Sequence, residues 1–289
     1  MRVDLATCQV LPEPDPDQEL LLRALAGLGV DARLHAWDAP VDPAAADPPA
    51  DLCVVRSTWN YHERRADYLA WAERVAARTP VLNPLPILRW STDKAYLRDL
   101  AARGVPVVPT VFLERGALTS LETVVAERGW RDVVVKPRVS AGSFATRHCA
   151  AAGLDAGARF LAIHLRERDM MVQPYLPSVE SYGERALVFI DGELTHAVRK
   201  SPRLQGQAES VSATVPIAAD ERAVAERALA GVGPGLLYGR VDLVRDASGA
   251  PLVMELELVE PSLFLAQHPP ALERFAGAIR ARVLQVRAA

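Results

Sequence analysis

Thirty arginines but only three lysines, Lys94, Lys136 and Lys200, occur in the 289 residues of this chain. Where arginine supplies nearly all the positive charge, a retained lysine marks a place that wants a compact ammonium instead of a flat, forked guanidinium. Lys94 ends Ser91-Thr92-Asp93-Lys94 at the head of a helix-like run, Lys136 follows Val133-Val134-Val135, and Lys200 closes Thr195-His196-Ala197-Val198-Arg199-Lys200. The other group with chemical potential is acidic. Asp242 lies in the alternating run Arg240-Val241-Asp242-Leu243-Val244, and Glu255 and Glu257 lie in Met254-Glu255-Leu256-Glu257-Leu258, across a turn at residues 246–250. Glu255 and Glu257 are two apart and share one strand face, where Asp242 can join them across the hairpin. Three such carboxylates repel unless cations sit among them, and hard oxygen ligands of this kind suit magnesium shared with substrate phosphates. The alternative is an edge hairpin with an outward acidic face, but alternation this regular requires the other face to be core.

Lysines beside a magnesium-type cluster point to a nucleoside triphosphate. No Gly-x-x-x-x-Gly-Lys-Ser/Thr loop is present, so the phosphates are not held in P-loop fashion. The available cradle is Arg138-Val139-Ser140-Ala141-Gly142-Ser143, whose small residues would let backbone N–H groups approach phosphate oxygens. Ser57-Thr58-Trp59-Asn60-Tyr61-His62 follows a buried strand, where α/β sheets place ligand contacts; these aromatics either meet a ligand or cover the end of the sheet. His62 has the chemistry of a base, though nothing in the sequence orients it. Gly-x-Ser-x-Gly and assembled Cys/His nucleophile signatures are both absent.

The elements that must position these groups begin as strand, helix, strand: residues 3–8, 18–28 and 30–37, then a loop over 38–50 and a buried strand over 51–56, which is βαβ order and implies a parallel sheet. A helix over 63–78 follows. Beyond Asn83, four prolines bracket two helical pieces, one of them 94–103, before a strand at 107–113 and a helix at 118–128. Strands at 132–136, 144–149 and 170–175 surround a helix at 154–168. Asp191-Gly192 then joins paired strands 186–190 and 194–199 into a hairpin. Residues 201–214, with Gln205 and Gln207, read as a mobile loop. A helix at 220–230, strands at 238–245 and 252–259 and a helix at 270–286 complete the pattern.

Half the residues are apolar, enough for a sizeable core, and the net charge of −3 gives no basic field for nucleic acid. No apolar stretch approaches a membrane span and no signal core opens the chain. Cys8, Cys53 and Cys149 are scattered, without a Cys-x-x-Cys pair, so buried thiols in a reducing cytoplasm are expected. A homodimer is the prior for oligomeric state.

The order of these parts resembles the ATP-grasp superfamily, in the branch of glutathione-synthetase-like carboxylate–amine ligases. The resemblance implies an ATP-grasp fold of α/β and α+β type: an N-terminal parallel α/β domain over residues 1–83, then two α+β subdomains, 84–175 and 176–289, clasping ATP. It implies that Lys94 and Lys136 contact ATP phosphates under a loop containing Ser140, Gly142 and Ser143. Gln173, Pro174, Tyr175 and Leu176 would meet adenine and Glu180 the ribose; Arg199 or Lys200 would neutralise the transferred phosphoryl group, and Asp242, Glu255 and Glu257 would hold Mg2+. The family's usual last motif is Glu-x-Asn, whereas this chain has Glu255-Leu256-Glu257. More narrowly, Arg56-Ser57-Thr58-Trp59 and Glu257-Leu258-Val259-Glu260-Pro261-Ser262 are similar to a subgroup that includes the cycloserine-forming O-ureido-serine cyclo-ligase. The implied activity is ATP-dependent: a small, amino-acid-like substrate carboxylate becomes an acylphosphate, a nitrogen of a second or the same molecule attacks it, and ADP and phosphate are released. Arg240 and Arg185 are the candidate partners of that carboxylate. The rival readings are a phosphotransferase that stops after phosphorylation and a nucleotide-binding module without turnover.

Overall fold

Val3, Leu5 and Ala6 leave β1 (Arg2–Thr7) with no polar face to turn to water, and it runs in the middle of a parallel sheet. β2 (Asp31–Ala36) flanks it on one side and β3 (Leu52–Ser57) on the other, with β4 (Val81–Leu82) beyond β3. Two helices, α1 (Gln18–Gly27) and α2 (Arg65–Ala76), accompany these strands. The computed structural model describes residues 1–40, 49–201 and 210–288.

Past α3 (Leu85–Ser91) and α4 (Tyr96–Ala102) comes an antiparallel sheet in the order β5-β8-β6-β7: β5 (Val111–Leu113), β6 (Val133–Pro137), β7 (Arg147–Cys149) and β8 (Met170–Pro174). Leu121 of α5 (Leu121–Arg128) and Leu161 and Leu165 of α6 (Leu154–Leu165) pack on Val133, Val135 and Val172 of this sheet. A short helix, α7 (Ser178–Ser181), leads into a five-stranded antiparallel sheet. It comprises β9 (Glu184–Ile190), β10 (Glu193–Lys200), β11 (Val211–Thr214), β12 (Tyr238–Arg245) and β13 (Pro251–Glu257), in the order β11-β10-β9-β12-β13.

The five-stranded sheet is covered on both faces. On one, Leu187, Phe189, Val241 and Leu256 pack with Leu97 and Leu100 of α4 and with Val224 and Ala228 of α8 (Ala219–Leu229). On the other, Ala186, Val188 and Tyr238 share a core with Leu5, Leu25 and Val54 of the first sheet and with Phe275 and Ile279 of α9 (Pro269–Ala288). Each large aliphatic or aromatic side chain so buried contributes about 1.5–3 kcal/mol. Asn83 adds polar connections: its Nδ2 donates to the carbonyls of Tyr238 (2.9 Å) and Leu258 (2.7 Å), and its Oδ1 accepts from Leu237 N–H (2.8 Å).

Several element expectations need correction. The strand expected over 144–149 exists only as Arg147–Cys149, because positive φ at Ser143 (62°) and Ala145 (48°) keeps the preceding residues turning. The strand expected over 107–113 is only Val111–Leu113; Val107 makes a single parallel bridge to Val253 and Pro109 intervenes. The helix expected over 118–128 starts at Leu121, where Ser120 accepts from Thr123 N–H as its cap (3.2 Å). Lys94 precedes its helix, which begins at Tyr96. Val211–Thr214 is no loop but an edge strand on β10; Gln205 and Gln207 lie outside the described residues. The three cysteines are free and buried, and among the described residues no helix is long and apolar enough to cross a membrane.

Candidate active site

All three lysines are buried, at 6–8% exposure, and all three line one cavity of about 580 Å3. An ammonium withdrawn from water needs acceptors, and the sequence supplies them on neighbouring elements. Lys94 donates to Ser140 O (2.6 Å) and lies 3.1 Å from Ser140 Oγ, tying the head of α4 to the loop after β6. Asp93 and Arg138 reinforce that tie with a two-pronged ion pair (2.7 and 3.0 Å). Lys136, near the end of β6, reaches Glu255 Oε1 on β13 (2.8 Å). Lys200, at the end of β10, pairs with Glu184 and with Asp242 (2.6 Å).

Strand register places these charges. Lys200 is opposite Glu184, Ala186 is opposite Asp242, and Asp242 is opposite Glu255, with Arg240 opposite Glu257. Cross-strand partners share a face, so the charged groups of four adjacent strands converge on one side of the sheet. Arg240 grips Asp242 through Nε and Nη2 (both 2.8 Å), donates to Glu257 (2.5 Å), and reaches the Ser262 carbonyl through Nη1 (3.1 Å).

The electrostatics follow from burial and partners. Burial opposes ionisation of Asp242, but Arg240 and Lys200 outweigh it and hold the carboxyl well below its ordinary range. Burial likewise opposes ionisation of Glu255, and Lys136 and Lys94 outweigh it, bringing the group down to about 2. Burial pushes Glu184 up to about 8 although Lys200 pulls against it. Burial also pushes Glu260 up to about 8, with Glu257 adding to the rise. Lys200 stays an ammonium: its burial and Arg240 disfavour the charge, but Asp242 and Glu184 prevail.

Of the residues expected to meet nucleotide, Lys94, Lys136, Ser140, Gly142, Ser143, Gln173, Pro174, Tyr175 and Leu176 all line the cavity. Gln173 is fixed by donating to Thr110 Oγ1 (2.9 Å), and the Tyr175 ring stacks on His148 (4.0 Å). Val108, Val134, Leu176, Val179 and Met254 line the cavity with them, an apolar slot suited to a flat base. Glu180 does not join them. It is exposed and accepts from the Tyr175 hydroxyl (2.5 Å), so the ribose role expected of it has no support in its placement. Arg199 and Lys200 separate cleanly: Lys200 faces the cavity, whereas Arg199 points to the opposite face and donates to Ser181 O (3.0 Å). Arg185 also faces away, donating to Pro216 O (2.5 Å) beside Glu221; of the two expected carboxylate partners, only Arg240 reaches the cavity.

Asp242, Glu255 and Glu257 share a face, but among the described residues no three Asp, Glu, His or Cys side chains stand at metal-holding spacing. Each of the three is drawn onto a cation instead. Asp242 has both oxygens engaged, while the bonds to Lys136 and Arg240 fall on Oε1 of Glu255 and Glu257. Hard carboxylate donors with a second oxygen to offer fit magnesium, and Glu255 and Glu257 fit better than Asp242. Sequence reasoning missed Glu184, which lines the cavity; it lies two residues before the expected start of its strand, directly across from Lys200. The N-terminal unit supplies Trp59, Tyr61, His62 and Glu63 to the wall, and His62 packs on Phe144 of the small-residue loop (4.9 Å).

Comparison with known proteins gives a consistent relationship. The sequence profile described as the D-cycloserine synthetase DcsG N-terminal domain matches residues 3–83. The chain is 37% identical over 286 residues to the cycloserine biosynthesis protein DcsG of Streptomyces lavendulae, covering 93% of this chain and 94% of that one. The crystal structure of D-cycloserine synthetase DcsG superposes with a TM-score of 0.87 at 35% identity over 98% of this chain and 100% of that one. A RimK-domain ATP-grasp protein from Sphaerobacter thermophilus shares the fold at 23% identity, with a TM-score of 0.72 over 98% of this chain and 100% of that one. With that identity and superposition along nearly its whole length, this chain belongs to the DcsG family of ATP-grasp enzymes, as an ADP-forming carbon–nitrogen ligase.

Proposed function

We propose that this ligase closes a ring within a single substrate, joining the carboxylate of an O-ureido-serine to its own oxygen-bound ureido nitrogen; the carbamoyl group on that nitrogen then leaves with water as carbon dioxide and ammonia, giving cycloserine. The observation that carries this reading is similarity to DcsG along nearly the whole chain, including the N-terminal segment that supplies Trp59, Tyr61 and His62 to the cavity wall. In this reading Lys94 and Lys136 hold ATP phosphates beneath the loop of Ser140, Gly142 and Ser143, and the slot at Gln173–Leu176 holds the base. Arg240 receives the substrate carboxylate and aims an oxygen at the γ-phosphorus. Lys200 neutralises the transferred phosphoryl group, and the pairs that Glu184 and Asp242 make with it fix the ammonium in place. Glu255 and Glu257, with Asp242 behind them, would hold Mg2+. Magnesium held there would draw off negative charge as it develops on the phosphates. Catalysis is then chiefly positioning and electrostatic stabilisation, which needs no side-chain nucleophile.

The test is to incubate the protein with ATP, magnesium and O-ureido-serine and to follow nucleotide and products by mass. ADP, phosphate and cycloserine should appear together. ADP with a stable phosphorylated product would indicate a phosphotransferase. No ADP from this substrate, with ADP and a condensed product from a panel of amino acids, would replace ring closure by intermolecular ligation.

A further inference from the structure

Glu184, Asp242, Glu255 and Glu257 each have a lysine or arginine at ion-pair distance. Glu260 lines the same cavity at 8% exposure and, among the described residues, has none. A buried carboxyl without a cation is costly, so its presence asks for a reason. The backbone around it is immobilised from three sides. Trp59 Nε1 donates to Glu260 O (2.9 Å), Arg56 Nη1 to Pro261 O (3.3 Å), and Arg240 Nη1 to Ser262 O (3.1 Å). The last of these bonds ties the segment after Glu260 to Arg240, the guanidinium assigned above to the substrate carboxylate, and both residues line the same cavity.

We infer that Glu260 accepts the proton that the attacking nitrogen sheds, a role that rests on the ligase reading above. The nitrogen lone pair forms the C–N bond to the acyl carbon, the bond from that carbon to the phosphate oxygen breaks, and its electron pair leaves with phosphate. The N–H proton passes to a Glu260 carboxylate oxygen. The charged and titratable groups around Glu260 are Glu257 on β13, Arg240 on β12, Lys94 before α4, and the phenols of Tyr61, Tyr68 and Tyr238. Its upward displacement to about 8 gives a carboxylate basic enough to take a proton near neutrality, unlike an ordinary surface glutamate. Glu184, raised as far, is tied to Lys200, and His62 in the same wall has its Nδ1 on Trp59 O (3.1 Å) and its pKa shifted downward by burial.

Hydroxylamine separates the two half-reactions, because it is uncharged at neutral pH and traps an acylphosphate as a hydroxamate without a base. With ATP, magnesium and O-ureido-serine, Glu260→Gln should form hydroxamate within about threefold of the parent while ring closure falls roughly 100-fold or more, the usual contribution of a general base. The Trp59 bond is to the backbone, so the isosteric change should leave the fold intact, as melting will check. Ring closure within threefold of the parent, or equal loss of closure and hydroxamate, would overturn the inference, as would His62→Gln giving the split that Glu260→Gln does not. If Glu260→Gln fails to fold, Glu260→Asp serves: withdrawing the carboxyl by one methylene should cost closure about tenfold or more with hydroxamate unchanged, and unchanged closure again refutes it. A parent that releases no ADP from O-ureido-serine refutes the substrate reading alone, and the same partition is then read on the panel amino acid that releases ADP.

Discussion

Lys136 has two obligations at once: it neutralises Glu255 across the sheets and it lines the cavity proposed here for the triphosphate. Lys136→Ala should therefore lower ATP affinity by roughly 10–150-fold in calorimetry, the value of a charge-assisted contact at about 1.5–3 kcal/mol. It should also lower the melting temperature, because Glu255 is left in the wall without its cation. Lys136→Arg should recover little affinity, since a planar fork cannot occupy an ammonium's place. Unchanged nucleotide binding in the alanine variant would remove Lys136 from the phosphate site. Glu257 also has two partners to satisfy, Arg240 and the magnesium proposed there. Glu257→Asn keeps an oxygen ligand but sheds a charge, so some activity should survive with the magnesium requirement displaced to higher concentration, whereas Glu257→Leu should be inactive. If both titrate with magnesium like the parent, Glu257 serves Arg240 alone.

Which residue of Arg199-Lys200 enters the cavity is decided four residues earlier. The register of β10 on β9 shifts between Leu194 and His196, so that Thr195 is the extra residue and Lys200, not Arg199, falls opposite Glu184. A straight ladder would have put Arg199 there and turned Lys200 outward. Arg199→Ala should accordingly release ADP within about threefold of the parent, while Lys200→Ala should lose at least 100-fold; the reverse order would mean the register is wrong. The same bulge marks the limit of what the residues alone reveal. Lys94, Lys136 and Lys200 stood out by scarcity, and the hairpins by alternation and Asp-Gly chemistry, because those signals are local. The bulge leaves no composition signal, and without it the choice between Arg199 and Lys200 cannot be made; Arg185 is turned away by the pairing of β9 with β12, which sets Leu243, not Asp242, opposite it. Glu180 is implied by the resemblance alone; its exposed carboxylate accepts from the Tyr175 hydroxyl and is not in the cavity lining.

Carboxyls with raised pKa, Glu184 and Glu260 foremost, and others with lowered pKa make stability depend on pH with a definite sign. Glu184 and Glu260, displaced from about 4.5 to about 8, favour the folded protein while protonated, and that contribution is lost as pH rises toward 8. Asp242 and Glu255, depressed, stabilise above about pH 4 and lose that contribution on acidification. His62, His164 and His196, all lowered by burial, gain stability up to about pH 6.5, so between about 6.5 and 8 the histidines no longer oppose the loss from the raised carboxyls. In that window, without nucleotide, the melting temperature should fall by roughly 2–6 °C, the equivalent of about 1–2 kcal/mol in a chain of this size, and Glu260→Gln should flatten the slope. A melting temperature that holds or rises there would mean the two groups titrate like surface glutamates. Asn83→Ala, which strands the Leu237 N–H and the Tyr238 and Leu258 carbonyls at the seam between sheets, should cost about 2–4 kcal/mol in a denaturant titration. The shared core also sets an order of events at birth. Asp17, just ahead of α1, accepts from the N–H groups of Leu265 and Ala266, the former 248 positions later, and α9 packs on α1. While the ribosome is still translating, the first sheet and α1 emerge with Leu21, Leu25 and Val54 facing a partner that does not yet exist. The N-terminal unit is made first and finished last, so a message truncated before α9 should yield aggregate, not a smaller enzyme, and folding of the whole chain waits on its final helix.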